Sequence, residues 1–152
     1  MASLFPKKQF LDKEQQQAVV AAIAAAESRT SGEIRVFMEP RCKYVDPMDR
    51  AKEIFAHLSM EKTVMRNAVI IYIAFSDRQF ALYGDKAIYE QAGGETFWKK
   101  AAATLSGHLR AGQFTEGLCN CIGELGNALA THFPPTPGVN KNELPDEIVF
   151  GK

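Results

Sequence analysis

The chain carries no excess charge of either sign, few cysteines, few histidines and no long apolar run, and each shortage excludes something. Lys and Arg number 18, Asp and Glu number 18, so the formal net charge is zero. Binding a nucleic-acid backbone draws on a cationic face and usually a basic domain, so no nucleic-acid partner is expected. The three cysteines are too few and too scattered for a disulfide framework. Cys119 and Cys121 are two apart, which puts them on different faces of a helix and gives no C-x-x-C redox motif. Free thiols in a reducing compartment are the expectation. No stretch approaches the ~20 apolar residues that span a bilayer. The longest, Ala68 to Phe75, has the length of a buried strand. The segment Met1-Ala2-Ser3-Leu4-Phe5-Pro6-Lys7-Lys8 has no apolar core of a signal peptide. A cytoplasmic, monomeric protein without a transmembrane segment is expected.

Motifs are scarce too. The sequence has no G-x-x-x-x-G-K-[ST] phosphate loop, no G-x-G-x-x-G, no G-x-S-x-G, no H-E-x-x-H and no EF-hand loop. Its three histidines, His57, His108 and His132, fall in three different predicted elements.

What is present is ordinary globular composition, 46% hydrophobic and 24% charged, in 152 residues. That suits one domain with enough apolar surface to offset the entropy of ordering. Asp12 is placed to cap a first helix containing Ala18, Ala22, Ile23 and Ala26, which Ser31-Gly32 ends. Glu33 to Glu39 alternates charged and apolar residues, the pattern of a half-buried strand, and Pro40 closes it. Asp46-Pro47 opens a second helix with Ala51, Ile54, Phe55 and Leu58 as its apolar stripe. Asn67 to Phe75 is apolar almost without a break and reads as a fully buried strand. Ser76-Asp77-Arg78 turns into a third, antiparallel strand over 79–83. After Gly93-Gly94 come two amphipathic helices, one with Phe97, Trp98, Ala101, Ala102 and Leu105, the other with Phe114, Leu118, Ile122, Leu125 and Leu129. Pro134, Pro135 and Pro137 forbid further helix. Residues 1–134 are thus expected to form the domain and 135–152 an extended Pro-containing tail, in which Ile148-Val149-Phe150 has the make-up of a short edge strand. The order α-β-α-β-β-α-α predicts an α/β/α sandwich around a small mixed sheet of three to four strands, with helices on both faces.

This topology brings particular residues to one end of the sheet. Glu33 starts the first strand, Arg66 and Asn67 precede the second, and Asp85 follows the antiparallel third. Two carboxylates, an amide oxygen and a guanidinium are therefore expected along one edge. Hard cations such as calcium and magnesium prefer oxygen donors of this kind, which makes Glu33, Asn67 and Asp85 candidate metal ligands and Arg66 a candidate anion-binding residue. A structural account fits the same residues: Asp85 capping a helix, Asn67 in a turn, Glu33 paired with a nearby base. The opposite end, with Glu39, Asp77 and Arg78, lies where open α/β sheets commonly bind ligands, although Asp-Arg in a tight hairpin is commonly turn chemistry.

These segments also carry a resemblance. Thr30-Ser31-Gly32-Glu33-Ile34-Arg35-Val36, Arg66-Asn67-Ala68-Val69-Ile70-Ile71-Tyr72-Ile73-Ala74 and Asp77-Arg78-Gln79-Phe80-Ala81-Leu82-Tyr83-Gly84-Asp85-Lys86-Ala87-Ile88 resemble, in order and spacing, the T-x-G-E-I-R-V, N-G-V-L-I-Y-x-A and D-R-x-x-x-x-x-G-D-x-G-I segments of the TPM-domain family. Phe97-Trp98, Phe114-Thr115-Glu116-Gly117-Leu118 and His132-Phe133-Pro134 continue the series. The match is to the short, soluble bacterial form and covers about residues 10 to 134. The resemblance implies an α/β/α sandwich and, in some members, binding of calcium or magnesium; weak acid phosphatase activity is ascribed to a plant member. It implies that Asn67 matches the Asn of the family's D-N-G motif and Asp85 the polar position after the hairpin glycine. Arg66 stands where the family has an acid, Ala68 where it has Gly, and Ala87 where it has a second Gly. The expected function is a binding or interaction module with a calcium or magnesium site and a possible protein partner; the alternative is a metal-assisted phosphomonoester hydrolase.

Overall fold

A computed structural model describes residues 10–92, 94–135 and 147–151. The elements are α1 (Lys13–Glu27), β1 (Glu33–Glu39), α2 (Pro47–His57), β2 (Ala68–Ala74), β3 (Gln79–Gly84), α3 (Lys86–Gln91), α4 (Glu95–Arg110), α5 (Phe114–His132) and β4 (Val149–Phe150).

Helix starts follow from local chemistry. Asp12 and Gln15 form a reciprocal capping box: the Gln15 N–H donates to Asp12 Oδ1 at 2.8 Å, and the Asp12 N–H donates to Gln15 Oε1 at 2.9 Å. At α2, the Asp46 carboxylate accepts from the Met48 N–H at 2.9 Å, and Pro47 sits where no backbone donor is needed.

The strands lie in the order β3-β2-β1-β4. β1 is parallel to β2 and to β4, and β3 returns antiparallel to β2. Every residue of β2 is buried, as its unbroken apolar run requires. The strand period of two sends alternate residues to two cores. Ile34, Val36, Met38, Val69, Ile71, Ile73 and Leu82 pack with α1, α4 and α5. Phe37, Ala68, Ile70, Tyr72, Ala74 and Ala81 pack with α2 through Ala51, Ile54 and Phe55. Each fully buried Ile or Val contributes about 1.5–3 kcal/mol, so this bilateral burial is what makes a three-layer sandwich of a small sheet.

Three differences from the sequence reading are informative. Strand β2 is one residue shorter at each end than expected, because Asn67 and Phe75 do not join the ladder. Helix α3, absent from the predicted order, follows β3 directly. Its six residues place only Ile88 fully in the core, too short a pattern for helical periodicity to register. Finally, the end of the tail belongs to the sheet: Val149 and Phe150 pair with Phe37 and Met38, and the Gly151 N–H donates to the Met38 carbonyl at 2.7 Å. Residues 136–146 and 152 of the proposed tail lie outside the described residues.

Candidate functional site

The register brings the predicted edge together. Glu33 pairs with Ala68, Val69 pairs with Gly84, and the Asp85 N–H donates to the Ala68 carbonyl at 2.9 Å. Glu33, Asn67 and Asp85 therefore stand side by side at the ends of three adjacent strands. All three are buried, at 0%, 0% and 3% exposure, where a polar group left unsatisfied is costly.

Each has a different partner set. Asp85 is held most firmly. Arg66 Nε donates to its Oδ2 at 2.7 Å and Arg66 Nη2 to its Oδ1 at 2.9 Å, while Oδ1 also accepts the Lys86 N–H at 2.8 Å as the cap of α3. The hydrogen bonds and charge of Asp85 raise the Arg66 pKa. Arg66 itself sits at φ 53°, in the left-handed region that a non-glycine residue rarely adopts, on the bend leading into β2. Asn67 donates from Nδ2 to Ser31 Oγ at 3.3 Å, but its Oδ1 is buried and has no hydrogen-bond partner. Glu33 acts on Arg35, whose pKa burial lowers while Glu147 and Glu33 oppose that shift.

The structural account of these residues is thus present: Asp85 caps a helix and Glu33 faces a base. It does not cover the Asn67 carbonyl oxygen. Nor had the sequence pointed to Ser31, which meets Asn67 from the loop before β1; only its place two residues ahead of Glu33 signals it. Ser31 is positioned by the end of α5, since its N–H donates to the Phe133 carbonyl at 2.9 Å and Thr30 Oγ1 donates to the same oxygen.

The donor chemistry suits a hard cation in part. The edge offers two carboxylates and a free amide oxygen, while among the described residues no group of three or more His, Cys, Asp or Glu is arranged to hold a metal. Arg66 already supplies positive charge to both oxygens of Asp85. Beside this pair opens a cavity of about 730 Å³, lined by Arg66, Asp85, Tyr83, Lys86, Trp98 and Lys52 among others.

At the opposite sheet end the two acids are each taken up by neighbouring groups. Glu39 accepts from Arg50 Nε at 2.8 Å and Nη2 at 2.9 Å and from the Tyr72 hydroxyl. Burial alone raises the Glu39 pKa, but the Arg50 and Tyr72 hydrogen bonds outweigh it and the net shift is downward. Asp77 is taken up separately by Arg41 at 3.1 Å and the Cys42 N–H at 2.7 Å. Glu39 and Asp77 therefore serve two separate sets of partners, not one site.

Fold and edge together define a class: an α/β/α sandwich with a mixed sheet and a polar cluster at the amino-terminal ends of its parallel strands. The TPM domain profile matches residues 5–128, and the chain belongs to the TPM-domain family. It is similar to the BA42 protein of the psychrophilic bacterium Bizionia argentinensis, known from an NMR structure, with 38% identity and a TM-score of 0.86 over 96% of this chain and 99% of that one. The N-terminal domain of cg2496 from Corynebacterium glutamicum shares the fold at 12% identity, with a TM-score of 0.64 over 88% of this chain and 90% of that domain. No curated protein matches the chain. Among the described residues no helix is long and apolar enough to cross a membrane.

Proposed function

We propose that the protein is a binding module whose strand-end cluster takes a divalent cation, calcium or magnesium, through Glu33, Asn67 and Asp85. The observation that carries this reading is the Asn67 Oδ1 atom, a buried acceptor without a hydrogen-bond partner at the sheet end that also carries the buried Glu33 and Asp85. A buried polar atom left unpaired costs about 1–3 kcal/mol, so it calls for a compensating role. Arg66 opposes the cation, since it neutralises Asp85; binding requires the guanidinium to swing off the carboxylate, and affinity is correspondingly low. Amide NMR during calcium and magnesium titration tests the reading. Shifts centred on Ser31 to Glu33, Asn67 and Asp85 that disappear in Asn67→Ala support it, and a silent edge in the wild-type protein and in Arg66→Ala refutes it.

A second reading, metal-assisted phosphomonoester hydrolysis, draws on one observation: Arg66, with 42% of its side chain exposed, borders the cavity and is chemically suited to phosphate oxygens. A generic phosphomonoester assay with magnesium tests it. Activity that survives both Asp85→Ala and Arg66→Ala arises elsewhere.

A further inference from the structure

A second cavity lies at the other end of the β2–β3 hairpin, and its lining is unlike that of the first. It measures about 560 Å³, within the ~300–1,000 Å³ range of small-molecule pockets. Its walls come from the end of β2, the start of β3, the last turn of α4 and the first residue of α5.

The apolar part is aromatic. Phe10, Phe75, Phe80 and Phe114 line it, with Phe10 stacked on Phe75 at 4.4 Å between ring centroids and Phe114 edge-on to Phe10 at 4.4 Å. Phe10 remains 39% exposed, so this aromatic wall is open to solvent. The polar part is cationic. Arg78 and Arg110 both line the cavity, and no Asp or Glu among the described residues does. Neither guanidinium forms an ion pair or hydrogen bond with a described residue, although the other arginines at the sheet ends, Arg41, Arg50 and Arg66, all do. The acid next to Arg78 is Asp77, and it is occupied by Arg41 and the Cys42 N–H. Arg110 stands in the last turn of α4. The helix end there carries about half a negative charge, which leaves about half of a guanidinium's charge uncompensated.

We propose that this cavity binds a small amphipathic carboxylate, its apolar body against the phenylalanine wall and its carboxylate between Arg78 and Arg110. Arginine favours this head group because its planar fork matches two carboxylate oxygens. Apolar burial supplies affinity, and the absence of acid from the lining supplies the preference for an anion over an alcohol of equal length. The site is separate from the strand-end cluster and does not depend on the cation reading.

Octanoate, with octanol as its uncharged counterpart, serves as the probe in an amide NMR titration of the full chain. Octanoate is expected to shift Phe75, Phe80, Arg110 and Gly112 and to bind at least tenfold more tightly than octanol. Replacing both arginines, Arg78→Ala with Arg110→Ala, is expected to weaken octanoate by about tenfold or more while leaving octanol unchanged, because charge-assisted bonds are lost and apolar contact is not. Both side chains are solvent-exposed, and an unchanged amide spectrum of the free variant confirms its fold. Three results overturn the proposal: no shifts at these residues with millimolar octanoate, octanol binding as well as octanoate, or octanoate affinity unaltered in the double variant.

Discussion

Arg66 holds both carboxylate oxygens of Asp85, through Nε at 2.7 Å and Nη2 at 2.9 Å, across the end of the β2–β3 pair. The Asp85 side chain is 4% exposed and that of Arg66 42%. This asymmetry gives the pair its meaning. Removing the arginine leaves a buried negative charge whose remaining described bond is the cap to the Lys86 N–H, and an uncompensated buried charge strongly destabilises a fold. A cation that takes the arginine's place restores the balance. Arg66→Ala is therefore expected to melt at a lower temperature than wild type without metal and to recover on adding calcium, because a ligand that binds only the folded state raises its stability. Calorimetry with and without calcium measures this; recovery absent in the variant argues for a purely structural pair.

At the same strand end, Gly84 leaves no room for a side chain. A Cβ there would lie 2.8 Å from Trp98 Cη2 and Cζ2. Trp98 is itself wedged between Tyr89, stacked at 6.1 Å, and Phe97, edge-on at 5.2 Å. Gly84→Ala is expected to cost about 1–3 kcal/mol by overpacking and to perturb the fluorescence of Trp98, the chain's single tryptophan. Denaturant unfolding followed by that fluorescence reads both effects, and an unchanged midpoint would show that the indole yields freely.

Glu39 sets a pH dependence. Its folded pKa lies below the ordinary value of 4.5, because bonds from Arg50 and Tyr72 overcome the upward pull of burial. Near pH 4 the unfolded chain therefore binds more protons at this site than the folded one, and stability rises with pH. The contribution is complete above about pH 4.5 and is lost as pH falls through the folded pKa. Urea midpoints from pH 7 to pH 3 should drop in the acid range, and Glu39→Gln should flatten the Glu39 part of that drop. A variant with the wild-type acid slope would place the dependence elsewhere.

Strand β4 covers the outer edge of β1 at Phe37 and Met38. Truncation before residue 147 removes the Phe37–Val149 and Met38–Phe150 pairing and the Gly151 bond to Met38. An uncovered strand edge recruits other strands. The truncated chain is expected to self-associate with rising concentration, which sedimentation velocity detects; a truncated chain that behaves as wild type would show that β4 adds nothing to edge protection.

Which parts of this arrangement were legible in the sequence follows from the kind of signal each part leaves. Strand β1 was readable because it alternates, although it is not half-buried as the alternation implied, since Glu33 and Glu39 are buried and only Arg35 is partly exposed. Strand β2 was readable because it is apolar throughout, and α2 because Asp46-Pro47 marks its start. The placement of Glu33, Asn67 and Asp85 at one end of the sheet followed from strand order and direction alone, since backbone topology fixes which strand ends meet. Contacts made by side chains left no such mark. Nothing in the spacing of Arg66 and Asp85 announces a two-pronged ion pair, and nothing in Ser31 announces a bond to Asn67. Helix α3 was hidden because a turn and a half with one core residue has no measurable period. The Phe10–Phe75–Phe114 wall was hidden because it joins residues far apart in the chain.

In the proposed reading, the strand end is a cation site held shut by Arg66. Calcium titration of wild type and Arg66→Ala side by side, followed at the amides of Glu33, Asn67 and Asp85, tests it most directly. Weak binding is expected in wild type and binding tighter by about tenfold or more in the variant, since a full positive charge within contact distance is removed even though solvent screens part of its effect. Equal affinity in the two proteins, or no shift in either, would contradict it.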